Sequence, residues 1–183
     1  MTLSRPRETR SDGRAPAWDV AVRLLHWLLA ALVLFCYFVD DEGGAVHRTV
    51  GYVAVGLVFA RLLWSTRAAG VNGFASLRPS LERTREYLRA GAPRPAGRDP
   101  LGVWMVWLLW SLVLALGVTG WMTRLDAFWG DETLHEVHAA LAHALVAAAA
   151  VHVAGVAAMS WRWRENLTRA MLAGRRGDTP PPP

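Results

Sequence analysis

Four long apolar stretches constrain this chain more than any other feature. Each is near the roughly 20 residues a helix needs to cross a bilayer. They run from about Val20 to Val39, Ala45 to Thr66, Leu101 to Met122 and Val137 to Ser160. The first carries Arg23 and His26, and the second His47, Arg48 and Arg61. The third has no charge, and the fourth has none but holds His138, His143 and His152. Backbone groups in lipid must be satisfied within their own segment, so the expected form is helical. Composition agrees. Hydrophobic residues make up 53% and charged ones 19%, below the roughly 25% usual in soluble domains.

A net charge of +5 over 183 residues would by itself suit a nucleic-acid binder. The placement of the charge argues otherwise. All 20 basic residues are arginine. They gather before the first stretch, around the link between the second and third, and after the fourth. Only Arg48 and Arg124 lie on the other side, where Asp40, Asp41, Glu42, Asp126, Asp131, Glu132 and Glu136 sit. The positive-inside rule then places both termini and the middle link in the cytoplasm. The expected fold is an all-α integral membrane four-helix bundle, up-down-up-down, with both termini cytoplasmic. Residues 1–17 read as a flexible arm, Arg- and Pro-rich with no apolar core of a signal peptide. Residues 18–176 form the membrane domain, and 177–183 a Pro-rich disordered tail. Pro79 to Gly91 has the pattern of a short amphipathic surface helix. Trp18, Trp27, Trp64, Trp121, Trp129, Trp161 and Trp163 lie near the expected interfaces, as an aromatic belt does.

Ionisable residues inside a membrane are costly and usually functional. His138 and His152 are 14 residues apart, which leaves them about 40° apart around a helix and roughly 21 Å apart along it. His26 lies at the depth of His152, on the cytoplasmic side. His47 and His138 both lie at the opposite side. The topology therefore pairs His26 with His152 and His47 with His138. Facing imidazoles from a four-helix bundle suit six-coordinate haem iron. Zinc would need more ligands at each level. His143 is about 140° from His138 around the helix and reads as a packing or hydrogen-bonding residue. His135 is about 100° off the face of His152, so His138 is the preferred ligand. Gly51, Ala142 and Gly155 follow the paired histidines by about one turn, leaving room for a flat group or for close helix packing. Arg23, Arg48 and Arg162 suit haem propionates or lipid headgroups alike. Cys36 is the single cysteine. It excludes an internal disulfide and a Cys-x-x-Cys-His haem attachment, and reads as a small hydrophobe.

The segments AWDVAVRLLHW (Ala17 to Trp27), HRTVGY (His47 to Tyr52), GVTGW (Gly117 to Trp121) and HAALAHALVAAAAVHVAGV (His138 to Val156) resemble the bacterial cytochrome b561 family. That family includes the b-type cytochrome subunits of nickel-iron hydrogenases. The tail from Arg164 to Arg176 resembles its small members. The resemblance implies two non-covalent b haems with axial ligands His26, His47, His138 and His152. It also implies electron exchange between a quinone pool and a redox partner at a bacterial inner membrane. That partner would be a periplasmic hydrogenase, dehydrogenase or cytochrome c. Two positions depart from the pattern. Gly97-Arg98-Asp99-Pro100 stands where many relatives read Gly-His-Asn-Pro, and His143 where relatives often carry Asn. The chain is also short for the fifth helix of several hydrogenase partners.

Two other functions compete. A haem-free proton or ion transporter would use the histidines as a relay, yet no acidic residue lies within the spans to pair with them. A structural anchor for a redox enzyme would tolerate loss of all four.

Overall fold

The computed structural model describes residues 18–39, 43–95 and 97–174. The expected N-terminal arm and the Pro-rich tail lie outside the described residues. Among the described residues there are six α-helices: α1 Val20–Phe38, α2 Ala45–Arg67, α3 Leu81–Arg89, α4 Pro100–Met122, α5 Glu132–Arg162 and α6 Leu167–Ala173. Among the described residues there is no strand. Helices α1, α2, α4 and α5 are the four long enough and apolar enough to span a membrane. No more than 22% of any of their apolar windows is buried inside the protein. Such exposure is untenable in water and ordinary in lipid.

The helix starts other than that of α2, which follows Gly44, are set by side chains that accept otherwise unpaired N–H groups. Asp19 Oδ1 accepts from Val22 N at 2.8 Å and opens α1. Asp99 Oδ1 accepts from Leu101 N at 3.1 Å, and Pro100 at the first helical position supplies the right φ for α4. Asp131 Oδ1 accepts from Leu134 N at 3.1 Å and opens α5. Helix α5 therefore begins at Glu132, five residues ahead of the expected Val137. Its 31 residues measure about 46 Å, against about 30 Å of hydrocarbon. The first turns stand clear of the apolar layer, where hydrophobicity gives no sign of them. Helix α3 falls within the expected amphipathic segment. Helix α6, too short to show by its apolar length, was not expected.

The packing is uneven, and this positions the site. Helix α1 packs on α2, α2 on α4, and α4 on α5. The core joins Ala54 and Val58 of α2, Trp110 and Val113 of α4, Leu145 of α5 and Leu77 of the link. Gly117 permits the α2–α4 approach, since a Cβ there would lie 2.5 Å from Val55 Cγ2. By contrast, α5 makes at most slight backbone contact with α1 or α2. The seam between α5 and the α1–α2 pair is therefore spanned by side chains rather than by close backbone approach, as where Tyr37 meets His143.

The arginine-rich end of the bundle is tied by polar contacts. Arg23 Nη2 donates to Leu172 O at 2.6 Å, joining α1 to α6. Arg162 donates to Gly91 O and Ala92 O, joining α5 to the link after α3. Arg94 pairs at 2.8 Å with Glu165, whose side chain is almost wholly buried. Trp64 Nε1 donates to Asp19 Oδ2 at 2.8 Å, so one carboxylate both caps α1 and holds the end of α2. Asp19→Ala loses the cap and strands the indole, at a cost of about 1–2 kcal/mol. Thermal unfolding of the detergent-solubilised protein should show a lower midpoint.

Candidate functional site

Two pairs of histidines face each other across that seam. His26 on α1 and His152 on α5 have ring centroids 6.2 Å apart, with planes inclined at 66°. His47 on α2 and His138 on α5 are also 6.2 Å apart, inclined at 62°. All four are half-buried. Helices α1 and α5 run antiparallel, so residues near the start of α1 meet residues near the end of α5. Helices α2 and α5 run in the same direction, so their starts meet. The first pair thus lies toward the arginine-rich end and the second toward the acidic end.

His138 is the most completely fixed. Its Nδ1 lies 2.8 Å from Thr119 Oγ1 on α4. That hydroxyl is also 3.0 Å from Ala115 O and 3.2 Å from Leu116 O. Those carbonyls can only accept, so the single hydroxyl proton goes to them. The hydroxyl oxygen then accepts from His138 Nδ1–H. The ring is held as the Nδ1–H tautomer, with the Nε2 lone pair free for a Lewis acid. Gly120 makes room, for a Cβ there would come within 3.3 Å of His138 Cε1. His26 stacks edge-on with Trp27, centroids 5.3 Å apart. The carbonyl of His47 receives the Cys36 thiol, 3.8 Å away.

The remaining polar groups divide as follows. His143 Nδ1 donates to Ala139 O at 2.7 Å, and its ring lies 5.7 Å from that of Tyr37. It stands apart from both pairs. His135 is exposed, with Nδ1 2.9 Å from Asp131 O. The guanidiniums of Arg23 and Arg162 are engaged with backbone carbonyls, and Arg48 reaches Gly43 O at 3.5 Å. Thr119 was missed by inspection of the sequence. Its signal was a hydroxyl in a charge-free span that carries only one other, Ser111, and it lies at the depth of His138.

The chain matches the family model of prokaryotic cytochrome b561 over residues 17–174. It belongs to that family. No curated protein and no solved structure gives a significant match. The chain is thus a multi-pass membrane b-type cytochrome of electron transfer. Cytochromes b561 bind haem b, and the residues present fit that group. Two imidazole nitrogens each about 2 Å from one metal, with ring centres roughly 1.1 Å behind them, put the centroids about 6 Å apart. Both pairs have that spacing. A Cβ added at Gly51 or Gly155, each about a turn beyond a paired histidine, would meet nothing within 4 Å. The helix surfaces beside the pairs are open, as a flat macrocycle requires.

Proposed function

We propose that this cytochrome holds two non-covalent haem b groups, one between His26 and His152 and one between His47 and His138. It would carry electrons across the inner membrane between a quinone pool and a periplasmic partner, such as a hydrogenase, a dehydrogenase or a cytochrome c. The observation that carries this reading is the seam. The two histidine pairs share one spacing and bridge helices whose backbones make little close contact. Haem iron with two imidazole ligands exchanges single electrons and has no open position for oxygen chemistry.

The chain's own residues do the rest. Residues 18–176 act as one di-haem domain, with the arginine-rich end in the cytoplasm. His26 and His152 set the inner level, and His47 and His138 the outer. Thr119 holds His138 in the tautomer that presents Nε2. Lipid-facing apolar surfaces exclude water from both levels, which favours transfer of electrons over ions.

The purified, haem-supplemented protein should show a b-type α band on reduction and two haems per chain. A preparation with no haem signal and a pH-dependent ion flux would instead support the transporter. Thr119→Ala should weaken haem retention at the outer pair by about 10–100-fold, the usual effect of losing a partner of a ligating histidine. Thr119→Ser should restore it, as haem titration of the apoprotein would show.

A further inference from the structure

Two arginines take no part in the histidine pairs, and their surroundings are unusual. Arg61 lies on α2, only 7% exposed. Arg98 lies just ahead of α4. Its Nε donates to Val71 O at 2.9 Å and to Ser76 Oγ at 3.0 Å, and its guanidinium sits 4.6 Å over the Trp18 ring. Arg61 Nη2 makes one long contact, 3.5 Å, to Asn72 O. Arg61 Nη1 and Arg98 Nη2 are both buried and have no hydrogen-bond partner among the described residues.

The charges at this place do not balance. Two guanidiniums interact here, and Asp19 is the carboxylate that acts on Arg61. Asp19 is already committed to the Val22 N–H and the Trp64 indole. Burial, with repulsion from Arg61 added, pushes Arg98 down to about 10. It is still cationic at neutral pH. A buried charge with unmade hydrogen bonds is strongly unfavourable unless a counter-charge meets it. Paired guanidinium forks match the planar or tetrahedral oxygens of carboxylates and phosphates.

We propose that Arg61 and Arg98 together hold an anionic oxygen group, a carboxylate or a phosphate, at the arginine-rich end of the α1–α2 pair. Two sources carry this chemistry. One is a propionate of the inner haem, because Asp19 lies seven residues, about 10 Å along α1, from His26. This source rests on the haem assignment above. The other is the phosphate of a membrane lipid, which does not.

The test compares purified holoprotein with its Arg98→Gln and Arg61→Gln variants by redox titration, phosphorus content per chain and thermal unfolding. With a haem carboxylate, both variants raise the oxidised-to-reduced ratio of one haem wave about tenfold at fixed potential, a shift of about 59 mV. The other wave and the phosphorus stay unchanged. With a lipid phosphate, both variants lose one phosphorus per chain while both waves stay in place. If no anion is held, the two guanidiniums merely repel. The variants then keep wild-type waves and phosphorus and melt higher, and the site is overturned. Should neither variant accumulate, Arg98→Lys keeps the charge but loses the planar fork. A shifted wave or lost phosphorus in it supports the site, and wild-type values overturn it. Absence of haem from the wild type defeats the haem assignment alone, since the phosphorus assay still decides whether an anion is held.

Discussion

Replacing His152 with alanine should halve the reduced-minus-oxidised α-band absorbance per chain, leaving one haem of two. The effect is large because a single remaining imidazole, His26, faces an empty position in an apolar seam. The fold should survive. Helix α5 is fastened to α4 by its own packing through Leu145, Trp110 and Val113, not by the histidines. The second pair lies about 21 Å along α5 from His152, too far to share its loss. Haem-to-protein ratio and circular dichroism measured on the same preparation check both halves of the expectation. Two haems retained would show that His152 is not a ligand. An intact helical protein with none retained would show that the two levels are not independent.

A comparable effect on stability should come from Gly117→Ala. The added methyl would sit 2.5 Å from Val55 Cγ2, so α2 and α4 must part or Val55 must leave its rotamer. Overpacking of this kind costs about 1–3 kcal/mol. The strain should also reach the outer histidine pair. Thr119 and Gly120 follow Gly117 within one turn of α4; Thr119 bonds His138, and Gly120 leaves room for its ring. A displaced α4 withdraws the hydroxyl from His138 Nδ1. Thermal unfolding should show a lower midpoint, and haem loss on mild heating should begin with the outer haem. Val55→Ala removes the opposing methyls and should recover more than half of the midpoint in the double variant. An unchanged midpoint for Gly117→Ala, or purely additive losses in the double variant, would contradict the packing described.

The apolar runs located the spanning helices: α1 and α4 lie within about a residue of them, and the structure adds Asp19 and the Asp99-Pro100 pair as their caps. The start of α5 was hidden because its first turns are charged and lie beyond the hydrocarbon. Helix α6 was hidden because its seven residues carry too little pattern. The meeting of His26 with His152, and of His47 with His138, was legible from depth together with the face that His138 and His152 share on one helix. In an antiparallel bundle the charge sorting of the ends gives the depth of every residue. How each helix is turned toward its neighbours is not legible in this way. The bond between Thr119 and His138 depends on how α4 turns toward α5, and no spacing within one segment reports it. The arginines were ambiguous for a related reason. Arg23 and Arg162 suited propionates or headgroups equally, and the links that supply Leu172, Gly91 and Ala92 carbonyls decide where they reach. The same folding of the link brings Arg98 beside Arg61, far from it in sequence.

The most direct measurement is the haem count of paired double variants. His26→Ala with His152→Ala should retain one haem per chain, the same as either single variant. His47→Ala with His138→Ala should also retain one. His26→Ala with His47→Ala, one residue from each pair, should retain none. If the two within-pair double variants lose all haem while a cross-pair double variant keeps one, the histidines are not paired across the seam as proposed.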